Sequence, residues 1–398
     1  MRNKERNQSL LFHIALLAGL FLPTNNISYI IQGVLPFVLY VYYRPVHSLN
    51  IKRYSLFIII IMIISFILNL LINNVSNSGT LRLISFILLF GLFPFTKPIK
   101  ISNVIIYISL VYIILSQVAY VLGINSLISY FDSLYPYTGD KLGYQTEFLL
   151  RSAGDIESIV NRRYGGLYHN PNQCVRYVTL LLVVFLINSK EKIKLIKKIF
   201  FIALVYISVL LSGSRTGLVV VTFIVLYDLF RYNKVKFNFK FVSLSFVTLF
   251  FLAVFFFVLS DSGFRVFLVT EGNFNSLEAK FSYFFQYIDQ LFSPLIFVLG
   301  NFSSDNIYII YGLSQLDSEW GELFYSFGLF GLISFAMFYF KLWKTKNEKL
   351  RFYMVILLWG ITSTIIFSFR MSFIFMLLLS NYYSEYKLSS QHMYEKSN

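Results

Sequence analysis

The sequence predicts an all-α polytopic membrane protein of about 12 transmembrane helices, and three observations carry that prediction. Of its 398 residues, 57% are hydrophobic and 13% charged, with a mean hydropathy of +0.67; soluble domains carry about 25% charged residues. The apolar residues fall in continuous runs near spanning length instead of alternating, which selects helices over the strands of a membrane barrel. Lysines and arginines gather in every second connection, the pattern of chains whose basic loops stay in the cytoplasm.

Each run is justified by what bounds it. The first, 9–23, follows the basic start of "MRNKERNQSLLFHIALLAGLFLP" and lacks a small-residue cleavage site, so a retained span is expected and no cleavable signal peptide. Runs 27–43 and 54–73 flank Arg44, Lys52 and Arg53; runs 81–96 and 101–122 flank Lys97 and Lys100. Runs 174–188 and 198–212 flank "KEKIK", and runs 216–230 and 241–260 flank the basic segment 231–240. Runs 322–342 and 352–368 flank 341–351, and run 371–383 precedes the C-terminal tail.

The basic connections are 1–8, 44–53, 97–100, 189–197, 231–240, 341–351 and 384–398. Together with the span ends beside them they hold 24 of the 34 lysines and arginines and six of the 19 acids, a net of +18. The other side holds ten bases and 13 acids, a net of −3. Both termini are therefore expected in the cytoplasm, and the overall charge of +15 is a topology signal that does not imply nucleic acid. Cys174 is the only cysteine, which excludes disulfides and thiolate metal clusters within the chain.

The chain reads as a single integral membrane domain, 1–398, with two large outer loops at 123–173 and 261–321. Long outer loops are where outward-facing chemistry is expected. Within the second, "SLEAKFSYFFQYIDQLF" (276–292) sets Leu277, Phe281, Phe284, Ile288 and Leu291 on one helical face, an amphipathic helix lying on the outer leaflet or packed over the bundle. "SPLIFVLGNFS" after it is too short to span. The two halves share no sequence repeat, which weakens an inverted-repeat transporter.

Three clusters carry the candidate chemistry. The outer face holds eight arginines (82, 151, 162, 163, 176, 215, 265 and 370) against two lysines, 141 and 280. Guanidinium grips phosphate or carboxylate through a planar fork, so this bias suggests an anionic ligand; the structural alternative is pairing with outer acids or lipid headgroups. Arg215 stands in "SGSRTG" between two apolar runs, where an arginine near the bilayer core costs at least about 2.5 kcal/mol. Gly213 and Gly217 predict a tight turn, and Ser212, Ser214 and Thr216 supply hydroxyls that suit a phosphate at membrane depth. In "RRYGGLYHNPNQC" (162–174), Arg162, Arg163, His169, Asn170 and Asn172 surround a strong turn signal that starts a helix after Pro171, with Arg176 just inside the span. In "LDSEWGELFYSFGLFGLISF" (316–335), Asp317, Glu319 and Glu322 gather at a span mouth, and Gly328 and Gly331 permit close helix packing. Those carboxylates suit a general base, a cation site or salt-bridge partners, and spacing does not choose between Asp317 and Glu319.

"GGLYHNPNQCVRY", "LLSGSRTGLVVV" and a large outer loop leading to "DSEWGELFYSFGLFGL", in that order on that topology, resemble the O-antigen polymerase (Wzy-type) and O-antigen ligase superfamily. The motifs cover roughly 160–340. The resemblance implies a GT-C-like helical glycosyltransferase in the bacterial plasma membrane. Such an enzyme joins polyprenyl-diphosphate-linked oligosaccharide repeats into O-antigen, capsule or exopolysaccharide on the outer face, by inverting transfer. It further implies that Arg215 holds the donor diphosphate, with Arg265 or Arg176 as second contact. His169, Asn170, Asn172, Ser214, Arg162 and Arg163 would bind substrate, and Asp317 or Glu319 would be the base. No metal or other cofactor is expected, because the diphosphate is already activated; flippase and chain-length regulator proteins are the implied partners. One departure separates the two branches: the ligases carry a histidine in the last large outer loop, and 261–321 contains none. That favours a polymerase over a ligase. A transporter of lipid-linked oligosaccharide also suits outer arginines, but it would place ionisable residues near the midplane, where this chain has few.

Overall fold

In the computed structural model, the described residues are 2–22, 31, 34–35, 38, 49–72, 99–134, 164–168, 171–189, 195–232, 294–300, 319–345, 347–361 and 371–383. Among them all regular structure is helical. In chain order the α-helices are α1 (Arg2–Phe21), α2 (Leu49–Ile72), α3 (Asn103–Val121), α4 (Asn125–Leu134), α5 (Pro171–Ser189), α6 (Leu195–Ser212), α7 (Arg215–Tyr227), α8 (Pro294–Leu299), α9 (Glu319–Trp343), α10 (Glu348–Met354) and α11 (Met371–Tyr383). Four are long and apolar enough to cross a membrane: α3, α5, α6 and the Trp320–Trp343 part of α9. They coincide within a few residues with four of the predicted runs. The runs at 81–96 and 241–260, the run 27–43 apart from residues 31, 34–35 and 38, the amphipathic 276–292 and most of both large loops lie outside the described residues.

The chain divides into two compact units, one of 23–26 and 101–271, the other of 1–22, 27–100 and 272–398. In the first, α5 is the central helix, packed against α3, α6 and α7. Every residue from Cys174 to Ile187 is buried, so α5 is covered on all sides, as a central helix is. Around it the helices have two unlike faces. On α3 the buried residues are Ile106, Ser109, Leu110, Ile113, Ser116, Gln117 and Ala119, and three of the seven are polar. The exposed face is Val104, Ile108, Val111 and Leu115, all apolar. A water-soluble helix has the reverse arrangement. Lipid removes the hydrophobic drive between helices and leaves small and polar side chains to join them. The same apolar outer stripe runs along α2 (Leu56, Phe57, Ile60, Ile63, Ile64, Ile67, Leu71) and along α9 (Phe330, Ile333, Met337, Phe340). The architecture is that of a helical membrane protein.

Polar ties close the ends of this unit. Asn188 donates to Ile101 O and to Asn103 Oδ1, both at 3.0 Å, fixing the end of α5 to the start of α3. Tyr107 packs edge-on against Phe185 and Phe201, and its hydroxyl donates to Lys197 O at 2.8 Å. Lys198, near the start of α6, is ion-paired with the fully buried Asp228, where α7 passes into a π-turn at Asp228–Tyr232. A charge so deeply buried persists only when it is paired.

In the second unit α2 packs along α9, and Ser65 Oγ donates to Ser326 O at 3.0 Å. The α9 helix is interrupted at Gly328, whose φ of 62° and ψ of −162° lie outside the helical region. The short helix α8 ends at Gly300, φ 78°, against that break. A Cβ on Gly328 would overlap the backbone of Val298 and Leu299, and one on Gly300 the backbone of Ser326, Phe327 and Gly328. The two glycines let the chains cross backbone to backbone. Gly328 is therefore more than the packing glycine that the sequence suggests, because it also ends a helical segment. The predicted run 352–368 differs as well: α10, capped by Asn347, which accepts from Leu350 N at 3.2 Å, gives way to a 3₁₀ helix at Val355–Ile361. Asn381 on α11 accepts from Ile99 N at 2.6 Å and donates to Ile99 O at 3.0 Å, and Tyr353 donates to Phe375 O at 2.9 Å.

Candidate functional site

The "SGSRTG" segment forms a tighter turn than its six residues suggest. The α6 helix runs to Ser212, and Gly213 turns the chain with φ 58°, its N–H donating to Leu210 O at 2.9 Å. Ser214 is already the N-cap of α7, with φ −90° and ψ 104°, accepting from Gly217 N at 3.1 Å. Arg215 is thus the first residue of a helix and not the tip of a hairpin. Gly217, expected to help the turn, is helical. Its missing side chain serves a contact instead: a Cβ there would lie 2.5 Å from Val175 Cγ1 on α5. The sequence showed that a small residue was needed but not which neighbour needed it.

The hydroxyls are committed to this turn. Ser212 Oγ donates to Val209 O at 2.6 Å and accepts from Ser214 N at 3.2 Å. Ser214 Oγ donates to Asn172 Oδ1 at 3.0 Å. Ser214, expected to touch substrate, therefore uses its hydrogen to hold Asn172 in place.

That bond joins two of the three predicted clusters. Pro171 opens α5, with its fixed φ suited to a first helical position. Asn172, Val175 and Arg176 then lie three and four residues apart, on one face of α5, and the contacts of Asn172 with Ser214 and of Val175 with Gly217 show that this face meets the start of α7. Arg176 lies on it and is 7% exposed; Arg215 is half-buried. The chain passes down α5, up α6 and down α7, so α5 and α7 begin at the same end. Two helix N-termini consequently share one locality, with Arg176 in the second turn of α5 and Arg215 in the first of α7. The first N–H groups of a helix have no carbonyl of their own helix to bond, and the helix dipole adds partial positive charge there. Such an arrangement favours an anion, phosphate above all.

The segment before α5 is pinned from below. Gln117 on α3, wholly buried, donates to Tyr164 O at 2.9 Å and to Ser208 O at 3.1 Å, and accepts from Ser208 Oγ at 2.6 Å. Tyr164 N donates to Leu211 O at 3.1 Å, and Leu167 N donates to Ser116 Oγ at 3.1 Å. Gly166, φ 58°, passes so close to Ser116 and Gln117 that no side chain fits. Tyr168 closes the 3₁₀ turn Gly166–Tyr168 and stacks on Tyr177 of α5, centroids 4.3 Å apart. Gln117 and Ser116 escaped the sequence reading, although a glutamine inside an apolar run is the available signal: a buried amide in a span needs a definite partner.

The third cluster belongs to the other unit. Glu319 opens α9, and Glu322, one turn on, is 3% exposed. Arg162, Arg163, His169, Asn170, Arg265 and Asp317 lie outside the described residues. Among the described residues no group of three or more His, Cys, Asp or Glu side chains is placed to hold a metal ion. Compared with protein-family models, with curated proteins and with solved structures, the chain matches none.

Proposed function

We propose that the site at the start of α5 and α7 holds the diphosphate of a lipid-linked glycan, and that the chain is a polysaccharide polymerase of the Wzy type. The supporting observation is the Ser214–Asn172 bond, which brings the "HNPNQCVR" and "SGSRTG" motifs into one anion-favouring locality. In this reading both termini are cytoplasmic, about 12 helices cross the bacterial plasma membrane, and the start of α7 faces outward.

The reaction requires little beyond positioning. The acceptor hydroxyl attacks the anomeric carbon of the donor repeat, the bond from that carbon to the diphosphate oxygen breaks, and polyprenyl diphosphate leaves. The hydroxyl proton passes to a carboxylate, for which Asp317 and Glu319 are the candidates. Negative charge grows on the departing diphosphate, and prepositioned guanidinium and backbone N–H groups stabilise it without reorganising. Arg215 is the first diphosphate contact, with Arg176 or Arg265 the second. Arg162, Arg163, His169 and Asn170 are proposed to contact the saccharide.

The test is reconstitution of the purified chain in liposomes with a polyprenyl-diphosphate-linked repeat unit, product length being read on a gel. A ladder of multiples is expected, lost in Arg215→Ala and nearly as fully in Arg215→Lys, since a point charge does not replace a bidentate fork. Movement of substrate between leaflets without a ladder would make the chain a transporter and Arg215 a recognition residue. Full activity in Arg215→Ala would remove Arg215 from the mechanism.

A further inference from the structure

At the far end of the α2–α9 pair from the Ser65–Ser326 bond there is a cleft of about 410 Å³ lined by Arg53, Tyr54, Phe57, Met337 and Lys341. Because Ser65 meets Ser326 while Arg53 and Lys341 share this cleft, the two helices are antiparallel. Each contributes one cation and one large apolar side chain. Arg53 and Phe57 are four residues apart on α2, as Lys341 and Met337 are on α9, so each helix offers a cation and an apolar side chain about 6 Å further along its axis. The antiparallel arrangement brings both cations to one end of the pair, with the apolar side chains further toward the middle of the helices.

The cations at this end are not equivalent. Lys344 lies over the Phe340 ring at 4.5 Å, and Arg351 Nε donates to Trp343 O at 3.0 Å and Thr345 O at 2.6 Å, closing the end of α9. Arg53 and Lys341 make no such contacts, and no carboxylate pairs with either among the described residues. Both are exposed, and Phe57 and Met337 remain 48% and 43% exposed beside them. Two cations beside an apolar wall, with Tyr54 in the same lining, match a molecule with a phosphate at one end and a hydrocarbon chain at the other.

We propose that this cleft binds an anionic phospholipid. The phosphate lies between the Arg53 guanidinium, which offers a two-pronged grip, and the Lys341 ammonium. Tyr54 donates at the headgroup level, where aromatic side chains gather in membrane proteins, and the first carbons of the acyl chain run along Phe57 and Met337. Basic pockets between spanning helices suit anionic headgroups for this reason. On the topology of the proposed function the cleft opens to the cytoplasmic leaflet, but its chemistry does not depend on that function.

The test is native mass spectrometry of the delipidated full chain, titrated with phosphatidylglycerol, phosphatidylcholine or inorganic phosphate. Phosphatidylglycerol is expected to bind in preference to phosphatidylcholine. Arg53→Gln with Lys341→Gln should weaken it about 30-fold, and Lys341→Gln alone about fivefold; Lys341→Arg should preserve it. Phe57→Ser should weaken the lipid and leave any phosphate binding unchanged. Equal binding of the two lipids, or undiminished phosphatidylglycerol binding in Lys341→Gln, would overturn the proposal. Inorganic phosphate binding as tightly as the lipid would also overturn it, by making the cleft a soluble-anion site.

Discussion

The Ser214 hydroxyl donates to Asn172 Oδ1 at 3.0 Å while accepting from Gly217 N at 3.1 Å, so one buried side chain caps α7 and couples it to a residue 42 positions earlier. Ser214→Ala removes both functions and should cost about 0.5–2 kcal/mol, the range for a lost N-cap. Ser214→Asp separates them. Aspartate still caps, but it has no hydrogen for Asn172 and adds negative charge where an anion is proposed to bind. Its thermal midpoint should lie above that of the alanine variant while polymerisation fails. Wild-type ladder formation by Ser214→Asp would refute the anion site.

The fit of α7 against α5 depends on Gly217. In Gly217→Ala the new methyl meets Val175 Cγ1 at 2.5 Å, a distance real contacts do not reach, so the Val175 side chain or one of the helices must shift. Overpacking of this kind costs about 1–3 kcal/mol. Adding Val175→Ala should recover part of the loss, since it removes the opposing carbon. If the double variant melts no higher than Gly217→Ala, the contact is not what constrains the position.

Gln117 is predicted to be the least replaceable polar residue of its helix. Gln117→Leu is close in size, but it leaves the carbonyls of Tyr164 and Ser208 and the Ser208 hydroxyl without the amide they bond. Each buried group stripped of a partner costs about 1–3 kcal/mol, so a thermal midpoint well below that of any single-hydroxyl deletion is expected. Gln117→Glu restores the acceptor for Ser208 but not the two donations, and it should be no better than leucine. A neutral Gln117→Leu would show that the Tyr164–Tyr168 segment is held by other means.

Glycine substitutions should rank by backbone contact as well as by φ. Gly123 and Gly328 have nearly the same φ, 63° and 62°, yet nothing lies within 4 Å of a Cβ on Gly123, while one on Gly328 meets the backbone of α8. Gly123→Ala should therefore cost only the strain of a left-handed alanine, about 1–2 kcal/mol. Gly328→Ala adds a collision with main chain, which cannot rotate aside, and should reduce the yield of monodisperse protein sharply. Equal thermal midpoints for the two would mean that α8 yields at little cost.

What the sequence determined about this protein is what depends on neighbours in the chain. The ends of α3, α5 and α6 fall within a few residues of the predicted runs, because hydropathy, proline at a helix start and a glycine-serine turn act over one or two turns of chain. Arginine at the edge of an apolar run pointed to Arg176 and Arg215 for the same local reason. The tertiary structure decided everything that rests on partners distant in sequence. Nothing in "NPNQC" states that Asn172 receives the Ser214 hydrogen, and nothing in "SQVAY" states that Gln117 supports residues 164 and 208. Gly217 and Gly328 were legible as small residues, but whether each serves a turn, a side-chain contact or a backbone crossing depends on what approaches it. In a membrane helix the outward face is apolar whatever its neighbours, so hydropathy marks the spans and cannot sort their partners. The selection is made by a few polar and small groups, whose bonds are satisfied only when the right helices meet.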